Sequence, residues 1–189
     1  MGRPKPLLPW PDGSGSDITL VQYQISQLRA GGVDEVVVVL GHRAEDIIPH
    51  VEGPGVRYVV NPDYAAGKTT SIKAGLSQLD SKAETIVLLA VDQPRPASII
   101  RRVIQAHCES RAAVTSPIHG VRGGHPIVLD ARLIPELKEI TEENQGIREV
   151  IGRHHSEVHR VPIDEPNVRL DLNTPEEYEL SYRRAKSYT

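Results

Sequence analysis

The sequence predicts an α/β fold in three layers: a mostly parallel sheet with helices on both faces. Short β-branched runs recur along the chain, each nearly continuous in apolar residues, which suits strands covered on both faces. Segments with helical apolar spacing lie between them, so strand and helix alternate. The length, 189 residues, suits one domain spanning 1–189, and no linker, repeat or low-complexity tract divides it.

Taken in order, the Pro/Gly-rich stretch from Gly2 to Gly15 reads as a loop. Ile18, Val21, Ile25 and Leu28 then share one helical face, and Gly31-Gly32 end that helix. Strands are expected at Glu35 to Leu40, Val56 to Val60 and Thr85 to Val91. Ile72, Leu76 and Leu79 mark a helix between the last two, and Ile99, Ile100, Val103 and Ile104 mark the next. Later strands are expected at Ala112 to Ser116, Pro126 to Leu129 and Val158 to Ile163. The final helix opens on Thr174-Pro175-Glu176-Glu177, with Thr174 as cap, Pro175 at the first helical position and Glu177 closing a capping box.

Composition narrows the function. A net charge of -3 argues against a nucleic-acid partner, which calls for a basic excess, but leaves nucleotides open. The single cysteine, Cys108, rules out an internal disulfide framework and a Cys-rich zinc site, and reads as a semi-buried thiol. No apolar run is long enough to span a membrane and the first ten residues lack a signal-peptide pattern, so the expected setting is cytoplasmic, without a membrane partner.

In open α/β sheets ligands gather at the carboxyl ends of strands. Val60 is followed by Asn61-Pro62 and then Gly67-Lys68-Thr69-Thr70-Ser71. The Gly-Lys-Thr step invites a phosphate-loop reading, but that pattern needs a glycine where Pro62 stands, and proline supplies no N–H. What remains is a helix N-terminus whose hydroxyls and free amides either cap the helix or hold an anion or a base edge. Val91 is followed by Asp92-Gln93-Pro94. A carboxylate there suits Mg²⁺, and a turn or cap aspartate suits the position equally well. Asp171 and Asn173 are two apart, so in an extended segment they share a side. Capping accounts for them separately; together with Asp92 they can converge on one ion.

These segments resemble, in order and spacing, the molybdenum-cofactor nucleotidyltransferases, specifically the cytidylyltransferase-like branch. The resemblance rests on Met1-Gly2-Arg3-Pro4-Lys5-Pro6-Leu7-Leu8-Pro9, on Ala30 to Val33 with Val36 to Gly41, on Asn61-Pro62 with Gly67 through Gly75, and on Asp92-Gln93-Pro94, Gly124-His125-Pro126 and Asp171 to Pro175. It covers essentially the whole chain. It implies a Rossmann-like, nucleotide-diphospho-sugar transferase-like fold and Mg²⁺-dependent transfer of CMP or GMP from CTP or GTP to the phosphate of a molybdopterin-type acceptor, with pyrophosphate release. A molybdoenzyme or its chaperone is the protein partner it suggests. By resemblance, Lys5 and Asp92 are catalytic, and Asp92, Asp171 and Asn173 hold the metal. Lys5, Asn61, Gly67, Ser71, Gly75, Gly124 and His125 bind nucleotide or substrate. Read alone, Lys5 is an exposed loop lysine and His125 a turn residue.

The chain departs from the family at Asn173, where the pattern has an aspartate, and at Lys68-Thr69-Thr70, which replaces a more serine-rich stretch. The family also carries a strand and glycine-rich loop ahead of the position of Met1-Gly2. The expected sheet therefore lacks a first central strand between Glu35–Leu40 and Thr85–Val91. This leaves three alternatives: an enzyme whose start lies further upstream, an impaired accessory module, and a related nucleotidyltransferase with another phosphorylated acceptor.

Overall fold

The computed structural model describes residues 3–187, so Met1 and Gly2 at the front of the Lys5 segment lie outside the described residues. The elements run β1 (Pro9–Pro11), β2 (Asp17–Thr19), α1 (Leu20–Ala30), β3 (Val36–Leu40), α2 (Ala44–Ile47), β4 (Val56–Val60), α3 (Lys68–Leu76) and β5 (Thr85–Leu88). They continue with α4 (Ala97–Ser110), β6 (Val114–His119), β7 (Arg122–Gly123), β8 (Ile127–Asp130), α5 (Ile134–Glu139), α6 (Ile147–Arg153), β9 (Val158–Pro162) and α7 (Pro175–Ser187).

The architecture is α/β as expected, and among the described residues the strands form three hydrogen-bonded sheets, β1 with β2, β3 with β4, and a mixed five-stranded sheet of β5 to β9. β3 pairs β4 in parallel and β6 pairs β9 in parallel. β8 lies antiparallel between β5 and β6, and β7 folds back on β6 as a hairpin arm. Strand β4 matches the expected bounds, but Arg57, Tyr58 and Val60 are exposed because it is an edge strand. The first helix begins at Leu20, not Ile18. The Thr19 hydroxyl accepts from the Gln22 amide while the Gln22 side chain accepts from the Thr19 amide, and this reciprocal cap overrides the apolar period. Residues 17–19 instead pair with 9–11 in a short hairpin.

The layers are held by four apolar clusters. α1 and α2 cover one face of β3 through Val21, Ile25, Ala44 and Ile47. α4 buries Ile99 and Val103 against Val128 and Val161. Each such side chain contributes about 1.5–3 kcal/mol when fully buried. The inward face of α4 leaves Cys108 exposed rather than semi-buried. α1 and α4 meet closely: a Cβ on Gly31 would stand 2.6 Å from Ile100 Cγ2. On the opposite side, α3 reaches both sheets, with Gly75 against Val39 and Ile72 and Leu76 in the cluster that holds Ile86.

β3 and β5 nevertheless belong to separate hydrogen-bonded sheets, and among the described residues no strand pairs the second edge of either. All of β5 and the middle of β3 are half-buried although helices cover them. This is where the resemblance places a central strand.

Candidate active site

The β5–α4 loop carries the first candidate carboxylate. Lys5 Nζ stands 3.1 Å from Asp92 Oδ2 in a half-buried ion pair. Lys5 opens a single 3₁₀ turn, Lys5–Leu7, with Pro4 just ahead of it and Pro6 within its first turn, where a fixed φ suits it. The Leu172 amide donates to the Asp92 carbonyl over 2.8 Å, which sets Asp171 beside Asp92. Gln24, buried on α1, braces the same loop, its amide nitrogen donating to the carbonyls of Ala90 (3.0 Å) and Gln93 (2.8 Å).

Asp171 Oδ1 is buried and has no hydrogen-bond partner. An orphaned carboxylate oxygen is costly, and a cation would satisfy it. Asp92 and Asp171 therefore fit a hard divalent ion, which would draw its other oxygen ligands from water or a bound anion. Among the described residues no group of three or more His, Cys, Asp or Glu is placed to enclose a metal by itself. Asn173 is exposed, and its amide is spent on Glu177 Oε2 at 2.9 Å, in the cap of α7.

The Gly124–His125 turn joins the same centre. The His125 amide donates to the Val168 carbonyl (2.9 Å), and the His125–Pro126 peptide is cis. A Cβ on Gly124 would stand 2.1 Å from the Val168 oxygen, so packing against that backbone accounts for glycine here. Burial and the nearby Arg95 push the His125 imidazole below its ordinary range, with Lys68 acting the same way.

The remaining sequence candidates lie around α3. Asn61 is buried, and its side chain donates to Thr70 Oγ1 (2.9 Å) and Ser71 Oγ (3.0 Å) while accepting from the Asp63 amide (3.0 Å). Asn61 and Ser71 thus brace the β4–α3 turn together. Gly67 has φ 123, and a Cβ there would stand 2.4 Å from Glu142 Oε1. Glu142 uses that space to accept from the Thr69 amide at 2.7 Å, capping α3 from a distant loop. Gly75 lets α3 approach β3.

The structure thus gathers Lys5, Asp92, Asp171, Gly124 and His125, and groups Asn61, Gly67 and Ser71 at the α3 N-terminus. Sequence reasoning missed Arg95, Gln24 and Glu142. Arg95 has no exposed surface and lies between two prolines, a pattern with no chemical signature.

Comparison with known proteins decides the family. Residues 1–158 match the MobA-like NTP transferase domain. The chain belongs to that family, and so to the nucleotidyltransferases. A bifunctional IPC transferase and DIPP synthase from Rubrobacter xylanophilus is 37% identical over 126 residues, covering 65% of this chain and 27% of that protein. The chain thus spans about a quarter of that relative's length. A nicotine blue oxidoreductase from Paenarthrobacter nicotinovorans is 30% identical, with 94% of this chain and 87% of the relative covered. A molybdenum cofactor cytidylyltransferase from Escherichia coli is 25% identical, with coverages of 94% and 86%. Among solved structures, a Mycobacterium tuberculosis protein crystallised with manganese superimposes with TM-score 0.79 at 25% identity, covering 96% of this chain and 93% of that one. Its homolog from a Mycobacterium species gives TM-score 0.82 at 28% identity, with coverages of 100% and 91%.

Proposed function

We propose that this MobA-like domain transfers a nucleoside monophosphate from an NTP, CTP before GTP, to the phosphate of a molybdopterin-type acceptor and releases pyrophosphate. The observation that carries this reading is the pairing of Asp92 with Asp171 beside Lys5, with one buried Asp171 oxygen unsatisfied. The manganese-bound relative supports a divalent ion, and the cytidylyltransferase relative supports the reaction and the base. The setting proposed is cytoplasmic. Among the described residues no helix is long and apolar enough to cross a membrane.

In-line displacement at the α-phosphorus asks the protein chiefly for positioning and charge neutralisation. Asp92 and Asp171 would hold Mg²⁺ or Mn²⁺, which neutralises phosphate charge when bound. Lys5 is a cation on a flexible stem, and in leaving Asp92 it can contact triphosphate oxygens instead. Burial first, and then Arg95, lowers the His125 pKa, which favours the neutral ring, a hydrogen-bonding group, over a second cation. Lys68, exposed at the α3 N-terminus, would be a further positive charge for the anionic acceptor.

A second reading keeps the chemistry and changes the acceptor. It is favoured by the greater identity over the shared region to the bifunctional IPC transferase and DIPP synthase. Both readings are tested by pyrophosphate release from CTP and GTP with a panel of acceptors: molybdopterin-type, sugar phosphates and phospholactate. Release with the pterin acceptor supports the first reading, and release with another acceptor alone supports the second. Absence of release with every pair contradicts both and supports an accessory module.

A further inference from the structure

Arg95 is fully buried, and its guanidinium binds four backbone carbonyls. Nε donates to His125 (3.0 Å), Nη1 to Pro94 (3.1 Å) and Leu170 (2.7 Å), and Nη2 to Val168 (3.0 Å). Its own amide donates to the buried Gln24 side chain at 3.3 Å. The acceptors lie in the Asp92 loop, in the Gly124–His125 turn and in the segment leading into Asp171. None of them carries a charge. A buried guanidinium served only by neutral carbonyls remains electrically uncompensated, and such a charge is costly. Two of its acceptors adjoin the carboxylate residues: Leu170 directly precedes Asp171, and Pro94 stands in the Asp92 loop. Both carboxylates favour the charged guanidinium, and one Asp171 oxygen is itself buried without a partner.

We propose that Arg95 is the positioning residue of this site: it locks the segments bearing Asp92, His125 and Asp171 into one arrangement and is the internal counter-charge that holds the two carboxylates in place before any cation arrives. The proposal rests on the reading of Asp92 and Asp171 as one centre. It assigns Arg95 no contact with substrate. With Lys5 and Arg95 against Asp92 and Asp171, the formal charges cancel.

A carbonyl clamp alone and a counter-charge differ in what removing Asp171's charge does. For two carboxylates without a counter-charge, Asp171→Asn relieves repulsion and stabilises the protein. Against a buried cation, the same change destabilises it. The experiment is thermal unfolding of the full chain in EDTA, without nucleotide, for wild type, Asp171→Asn, Arg95→Met and the double variant. The expected result is that Asp171→Asn lowers the wild-type midpoint by about 2–4 °C. In the Arg95→Met background the same change leaves the midpoint unchanged or raises it, because interacting residues are not additive. An unchanged or raised midpoint for Asp171→Asn in the wild-type background overturns the proposal, and so does an equal fall in both backgrounds. Where Arg95→Met fails to fold, Lys5→Met takes its place in the cycle: Lys5 pairs with Asp92, so the fall caused by Asp171→Asn is expected to persist in that background, and its disappearance there assigns the counter-charge to Lys5 and overturns the proposal. Nothing turns over in this measurement, so its failure is distinct from a failure to release pyrophosphate.

Discussion

The amide of Leu172 donates to the carbonyl of Asp92 over 2.8 Å, across a sequence gap that spans α4 and β6 to β9. This one bond brings together Asp92, in the loop after β5, and Asp171, which follows the 3₁₀ turn Pro166–Arg169. Most of what the site can do follows from the chain being closed at this point.

Lys5 is the mobile charge of the site. Lys5→Met removes the partner of Asp92 at 3.1 Å and, in the proposed reaction, a donor to the triphosphate. Loss of one such donor costs about 100-fold or more in turnover. Steady-state pyrophosphate release is expected to fall by that factor, with unchanged circular dichroism. Turnover equal to wild type contradicts the role given to Lys5.

Glu142 caps α3 through the Thr69 amide at 2.7 Å. Glu142→Ala is expected to cost about 0.5–2 kcal/mol, the usual worth of a helix cap. Gly67→Ala should cost more, because it strains a backbone at φ 123 and drives a methyl into the Glu142 carboxylate. Urea midpoints check the order: wild type, then Glu142→Ala, then Gly67→Ala.

Gly124→Ala puts a methyl 2.1 Å from the Val168 oxygen, so the backbone itself must move. Overpacking of this kind costs about 1–3 kcal/mol. The turn also carries His125, so activity should fall along with stability. A variant as stable as wild type shows that the turn yields freely.

His154 lies between Glu136 (2.8 Å) and Glu157 (3.3 Å), and these hydrogen bonds raise its pKa above the ordinary 6.5. The folded state therefore holds the proton more tightly than the unfolded chain. The resulting stabilisation is fully present below 6.5 and is lost as pH rises through the elevated folded value. His107 acts in the opposite sense: burial lowers its pKa, so it costs stability as pH falls below 6.5. The midpoint difference between wild type and His154→Gln is expected to be larger at about pH 5.8 than at about pH 8.5. A difference that grows with pH contradicts the assignment.

What could be read from the sequence was local or strand-terminal. Val56–Val60 and the Thr174–Glu177 cap carry their signals within a few residues, and both stand where the sequence places them. Asp92 was legible because ligands gather beyond strand ends, although β5 closes at Leu88 and not at Val91 as expected; Asp171 follows a 3₁₀ turn and was legible only as a carboxylate ahead of a capped helix. Reading β-branched runs as parallel strands gave no orientation for β8, because an apolar run reads the same in both directions. The roles of Gly67, Gly75 and Gly124 were hidden, since each depends on an atom from a distant segment: Glu142, Val39 and Val168. Arg95 was hidden for the same reason. Its partners are backbone carbonyls, which leave no mark on the sequence.

That Asp92 and Asp171 act as one cation-dependent transfer centre is tested most directly by pyrophosphate release from CTP in the presence of a phosphorylated acceptor, with and without Mg²⁺ or Mn²⁺, for wild type, Asp92→Asn and Asp171→Asn. The predicted result is release that requires the divalent ion and falls by about 100-fold or more in each folded variant. Release that persists in EDTA, or that survives in either variant at the wild-type rate, contradicts it.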